Sequence, residues 1–143
     1  MLAQTYARSH GALLATVEHR FYGKSQPLSD WSAESLAFAG AEQALEDLAH
    51  FRVVLFENMS LPASTPVVLF GGSYGGCLAA WGRLRYPHLF NAAVASSAPL
   101  QKALGIDSYL EVVSASIATR GGVRCQQAVR AGMAAVQVKN IDL

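Results

Sequence analysis

Ionisable side chains are scarce in this sequence and their signs nearly cancel: Asp, Glu, Lys and Arg make up 15% of 143 residues, 11 basic against 10 acidic, for a formal net charge of +1. No cluster of Lys or Arg stands out, so the chain carries no electrostatic footprint for a nucleic acid or an anionic membrane surface. Arg83 and Arg85 have a local explanation as cations at a helix C-terminus, where they complement the dipole. Cysteine is as sparse, and Cys77 and Cys125 are too few to define a disulfide framework. Cys77 stands among Leu78, Ala79, Ala80 and Trp81 and reads as a small buried thiol, whereas Cys125 lies in a polar segment. Long apolar runs are missing too; the longest are strand-sized and interrupted, which excludes a helix that inserts into a bilayer. A charged-then-apolar leader with a small-residue cleavage site is also lacking, so any secretory signal is expected outside these residues. There is no internal repeat and no low-complexity tract.

What the chain does have is apolar material, at 52% of residues, enough for one compact core and too much for disorder. Its most informative stretch runs from Val67 through Val68, Leu69 and Phe70 into Gly71-Gly72-Ser73-Tyr74-Gly75-Gly76. Four apolar residues bounded by Pro66 and a glycine pair suit a short buried central strand, and Cys77 to Tyr86 has helical spacing until Pro87 stops it. Ser73 falls at the junction. A serine displayed on a strand-to-helix turn needs a strained backbone with tiny neighbours two before and two after, and Gly71 and Gly75 meet that G-x-S-x-G requirement. Such a turn lifts the hydroxyl clear of the sheet and aims the N–H groups that head the next helix at a substrate carbonyl. The Tyr74 amide is then the expected oxyanion donor. A phosphate-binding loop is excluded, because no Gly-Lys-Ser/Thr follows.

Around this motif strand and helix alternate, which points to an α/β class with a mostly parallel sheet. Leu2 to His10 reads as a helix ended by Gly11 in the C′ role, Ala12 to Glu18 as a strand, and His19 to Ser35 as a loop. Gly40 suits the N-cap of a helix with Gln43 at N3 and an apolar face of Leu45, Leu48, Phe51 and Leu55. Asn91 to Ser96 is a further strand, broken by Ser97-Ala98-Pro99. The crossover rule sets three strands side by side with Ser73 at their carboxyl ends. Tyr109 to Thr119 and Cys125 to Val138 are helical patterns split by Gly121-Gly122. The expected organisation is therefore a partial α/β-hydrolase core over residues 1–106 and the start of a helical lid over residues 107–143.

Several blocks in order resemble one family of serine peptidases, the one that includes prolylcarboxypeptidase, dipeptidyl peptidase II and thymus-specific serine protease. They are Glu18-His19-Arg20-Phe21-Tyr22-Gly23-Lys24-Ser25, Glu42-Gln43-Ala44-Leu45-Glu46-Asp47, Phe70 to Gly76, Leu78 to Trp81, Tyr86-Pro87-His88-Leu89 and Ala95 to Pro99. The thymus-specific branch is most similar, with a sequon at a position like Asn58 and a cysteine like Cys125. The resemblance covers nearly the whole chain. It implies an α/β-hydrolase sheet interrupted by a helical lid, and a triad in the order Ser, Asp, His with both later members beyond the lid. Only the nucleophile Ser73 and the Tyr74 amide carry over. The chain is thus expected to be an internal piece of a longer enzyme, inactive alone, that lacks the triad Asp and His and the upstream strand with the second oxyanion donor. The resemblance further implies peptide substrates with proline or a small residue beside the scissile bond. It implies no cofactor or metal, and a lysosomal, vesicular or secreted setting in which Asn58-Met59-Ser60 would be a glycosylation site.

Other residues have competing readings. Of the histidines, His10 closes the first helix, His50 sits on a helix surface, and His88 is carried about 15 Å from the serine by the intervening helix. His19 alone lies near a strand's carboxyl end, where the family does not place its base. Asp107 reads as a helix cap rather than the triad acid. Glu18 and Arg20 alternate about His19 and, on a strand, would share a face and form an ion pair flooring the pocket. Tyr22 and Trp31 lie in the loop over the site, where they would line a pocket or anchor the loop. Two other functions stay open: a lipase or esterase on the same fold, and a non-catalytic truncated product.

Overall fold

The computed structural model describes residues 2–101 and 107–139. The chain divides into two compact units, Met1–Leu100 and Gln101–Leu143. The expected boundary between residues 106 and 107 borders a segment outside the described residues.

The first unit opens with helix α1 (Leu2–Ser9). Gly11 takes φ +59°, a conformation that costs a side-chain-free residue little, and the Ala12 N–H closes back on the Ala7 carbonyl at 2.9 Å. The helix therefore ends in a Schellman-type cap, as its glycine requires. Residues 12–18 then depart from expectation. They are exposed throughout and belong to no ladder; among the described residues the sheet has two strands, not three. Apolar and β-branched residues favour extended backbone, but a strand exists only where a neighbour supplies the opposing N–H and C=O groups.

The loop that follows contains structure its composition did not announce. Ser32 caps a short helix α2 (Ala33–Leu36), its Oγ accepting from the Ser35 N–H at 3.2 Å, and a 3₁₀ turn (Ala37–Ala39) continues it. The Asp30 carboxylate accepts from the Ser32 N–H at 2.9 Å and the Ser35 hydroxyl at 2.7 Å. Bonds from Ser32 first, and then Ser35, lower its pKa to about 2.

Helix α3 (Ala41–Asn58) starts from Gly40 as its N-cap, as expected. It buries Ala44, Leu45, Ala49 and Phe56, while Asn58 ends it exposed. Strand β1 (Val68–Gly72), helix α4 (Tyr74–Arg85) and strand β2 (Ala92–Ser96) form a βαβ unit, with β1 and β2 parallel and in register from Val68↔Ala92 to Gly72↔Ser96. Asn91 sets that register: its N–H donates to the Val67 carbonyl at 2.8 Å and its side-chain oxygen accepts from the Val67 N–H at 2.9 Å.

Alternation along β1 turns Leu69 and Gly71 inward. On that side a Cβ at Gly82 of α4 would stand 3.1 Å from Leu69 Cδ1 and 3.2 Å from Leu48 Cδ2, so glycine is what lets α4 press against both β1 and α3. Phe90 and Cys77 are sealed in this core, at 1% and 0% exposure. The opposite face is thinly covered. Val68 and Phe70 stay partly exposed, with Phe70 meeting the Tyr6 ring of α1 at 6.0 Å, so β1 is not the doubly buried strand its four apolar residues suggested. The C-terminal turn of α4 is tied to α3 at Glu46, which accepts from the Tyr86 hydroxyl at 2.6 Å and from Arg85 at 3.2 Å.

In the second unit, helices α5 (Asp107–Gly121) and α6 (Val123–Lys139) meet at Gly122, whose φ of +81° permits the reversal. Gln126 donates to the Ser114 carbonyl and hydroxyl at 3.2 and 2.8 Å. Cys125 is exposed and free. Asp107 is the first residue of α5, and its side chain lies outside the described residues. Among the described residues no helix is long and apolar enough to cross a membrane.

Candidate active site

Ser73 joins β1 to α4, and its backbone has φ +53° and ψ −124°, outside the regions that residues with a Cβ adopt freely. Three contacts hold it there. Its N–H donates to the Ser96 carbonyl at 2.9 Å, carrying the parallel pairing one step past the end of the strand, and its own carbonyl accepts from the Cys77 N–H at 3.1 Å in the first turn of α4. The third is steric. A Cβ at Gly71 would overlap the carbonyl of Gly75, so the chain before the serine passes directly against the chain after it. Ser97, the residue that follows β2, has φ +50°, so strained backbones lie side by side at this edge.

The four glycines of the turn are not equivalent. Gly71 is excluded from bearing a Cβ by backbone, and at Gly76 a Cβ would stand 3.0 Å from that of Ala98 and 3.1 Å from the Ser96 oxygen. At Gly72 and Gly75 a Cβ would meet open space. The expectation that residue 75 must be tiny for lack of room is therefore corrected: it contributes a backbone carbonyl to the crossing, and the tight position on the helix is 76.

Ser73 is exposed at the head of α4, with the Tyr74 amide opening the helix. Beside it lies His19. The Arg20 carbonyl can only accept, so His19 Nδ1 carries the proton it donates at 2.7 Å; in the neutral ring Nε2 then accepts from the Tyr74 hydroxyl at 3.2 Å. The Tyr22 ring meets the imidazole edge-on at 4.8 Å. Burial, and secondarily the neighbouring Tyr22, raise the Tyr74 pKa. Among the described residues no hydrogen bond joins Ser73 Oγ to a histidine. His50 is exposed on α3, His10 stacks on Tyr6 and His88 stands against Tyr86.

The expected Glu18–Arg20 pair does not form. Arg20 instead grips Asp47 of α3 through Nε and a terminal nitrogen, both at 2.5 Å, and this fork holds the Asp47 carboxyl below its ordinary range. Glu18 folds onto the turn ahead of it, accepting from the N–H groups of Lys24 and Ser25 and from the Ser25 hydroxyl, and its pKa falls for that reason, the Ser25 hydroxyl foremost. The argument from alternating faces fails because the segment is not a strand. Tyr22 is 61% exposed and touches His19, whereas Trp31, 64% exposed, packs edge-on to Phe21 and anchors the loop. The residues that sequence reasoning passed over are Asp47 and the Tyr74 side chain. Both stand inside blocks already singled out, next to a charge or a motif that could have flagged them.

The family model for serine carboxypeptidases S28 matches residues 2–140. The chain is 42% identical over 134 residues to thymus-specific serine protease of Homo sapiens, covering 92% of this chain and 26% of that protein. It is 36% identical over 125 residues to lysosomal Pro-X carboxypeptidase of Mus musculus, covering 83% and 25%. Over 94 residues it is 45% identical to prolyl carboxy peptidase like protein 5 of Caenorhabditis elegans, covering 62% and 18%. The chain spans about a quarter of the length of the first of these curated relatives.

Proposed function

Since the chain belongs to the serine carboxypeptidase S28 family, we propose that it carries the nucleophile of a serine-type exopeptidase that cuts peptide bonds next to proline or a small residue. The supporting observation is the conformation of Ser73, a strained, exposed hydroxyl between the end of a parallel strand and the head of a helix. In this reading Ser73 Oγ attacks the peptide carbonyl carbon while a base takes its proton. The Tyr74 N–H stabilises the resulting oxyanion, the amine leaves with a proton, and water then hydrolyses the acyl ester. In this reading residues 1–106 belong to a partial α/β-hydrolase core and residues 107–143 to the start of a helical lid. The relatives named for carboxypeptidase activity and for the lysosome support a peptide substrate and a lysosomal, vesicular or secreted compartment, in which Asn58 would carry a glycan.

In this proposal no residue of the chain serves as the base or the acid, so the 143-residue chain alone has little activity. The test compares that chain with the complete reading frame that carries it, each with and without Ser73→Ala, using prolyl peptides and a fluorophosphonate probe. The complete protein should turn over the peptides and label at Ser73, and Ser73→Ala should lower turnover by at least about a thousandfold. Turnover of short acyl esters without peptides would assign the site to an esterase. Vigorous labelling of the isolated chain would reveal a base within it.

A further inference from the structure

We infer that His19 is a positioning residue for the elbow, fastening the Tyr74 hydroxyl to the loop at Arg20 and so holding the adjacent Ser73 in its strained, reactive conformation. The inference rests on the proposed role of Ser73. A backbone in this region persists only where its surroundings over-determine it. On the strand side of Ser73 the restraints are the Ser96 carbonyl and the Gly71–Gly75 crossing. On the helix side the first side chain available to be gripped is that of Tyr74, and its hydroxyl is 3.2 Å from His19 Nε2.

The grip is anchored rather than passive. The other ring nitrogen donates to the Arg20 carbonyl at 2.7 Å, the same residue's guanidinium forks onto Asp47, and the Tyr22 ring braces the imidazole from the side at 4.8 Å. A continuous path of hydrogen bonds thus runs from α3 through Arg20 and His19 to the residue that follows the nucleophile. Plain aromatic packing would not need the hydroxyl, since the rings of His19 and Tyr74 already meet with centroids 5.6 Å apart. The hydroxyl is therefore where positioning and packing part company.

The test uses the complete reading frame, with steady-state kinetics on a prolyl peptide. Tyr74→Phe removes one oxygen and leaves the rings of residues 19 and 74 in contact. Tyr74→Phe and His19→Leu should each lower kcat by roughly five- to tenfold with KM within about twofold of the parent, as expected for geometry lost at the reacting atom rather than in binding. Because both break one link, the double variant should fall no further than the worse single, and His19→Gln, whose amide oxygen can still accept from Tyr74, should recover most of the loss. Parental kcat in Tyr74→Phe, multiplicative losses in the double variant, or a change confined to KM would each overturn the inference. Full turnover in Ser73→Ala would instead sink the peptidase reading along with this one, and is told apart by needing neither variant.

Discussion

Gly71→Ala and Gly75→Ala are equivalent substitutions in the eyes of a G-x-S-x-G motif and opposite ones in the structure. A Cβ at residue 71 runs into the backbone carbonyl of residue 75, which no rotamer change can move aside. Relief requires the strand and helix to separate at the elbow, an overpacking cost of about 1–3 kcal/mol, against which a lost glycine in the unfolded chain returns about 0.4–1 kcal/mol. The net expectation is a destabilisation of about 1 kcal/mol. At residue 75 the Cβ points into open space within the first turn of α4, so alanine should instead stabilise by up to about 1 kcal/mol through helix propensity. Urea unfolding followed by tryptophan fluorescence separates the two, Trp81 being on α4 itself. With a slope of roughly 1–3 kcal/mol per molar, Gly71→Ala should move the midpoint down by about 0.5 M and Gly75→Ala should leave it unchanged or raise it. Equal losses in both variants would refute the steric account, as would a Gly71→Ala protein as stable as its parent.

Other consequences can be checked alongside. Asp30 should titrate near 2 by carboxyl-carbon NMR; because its folded pKa lies below the ordinary 3.8, its contribution to stability is complete above about pH 4 and fades from there down to about pH 2, and a value at 3.8 would remove Ser32 and Ser35 as its partners. Asp47, also lowered, behaves with the same sign, so Asp47→Asn should lower stability at neutral pH and lose its penalty as acid protonates the parent; a penalty constant with pH would contradict the Arg20 fork. Phe90→Ala, at a side chain 1% exposed, should cost about 3–5 kcal/mol in the same urea experiment, and a loss under 1 kcal/mol would mean the site collapses freely.

Much of this fold was legible because local punctuation coincided with real ends. Gly11, Gly40, Gly122 and Pro87 all lie at or next to helix boundaries that their backbone preferences anticipate, and the alternation of strand, glycine turn and helix around Ser73 was readable from residue type alone. What escaped needed a partner in space. Residues 12–18 look like a strand in isolation but have no ladder among the described residues, and the mistaken Glu18–Arg20 pair followed from that one error, since alternation fixes faces only in a strand. The Asp30, Ser32 and Ser35 cap was visible as residue types yet hidden in a segment dominated by loop signals. The link from His19 to Tyr74 spans a stretch of chain that no periodicity could have closed.

The bond from the Ser73 N–H to the Ser96 carbonyl also orders events in time. Until the neighbouring strand has docked the bend lacks one of its three restraints, so a chain that has emerged only as far as the helix after the serine holds that hydroxyl less firmly. Under the proposed peptidase reading, reactivity is thereby deferred to assembly.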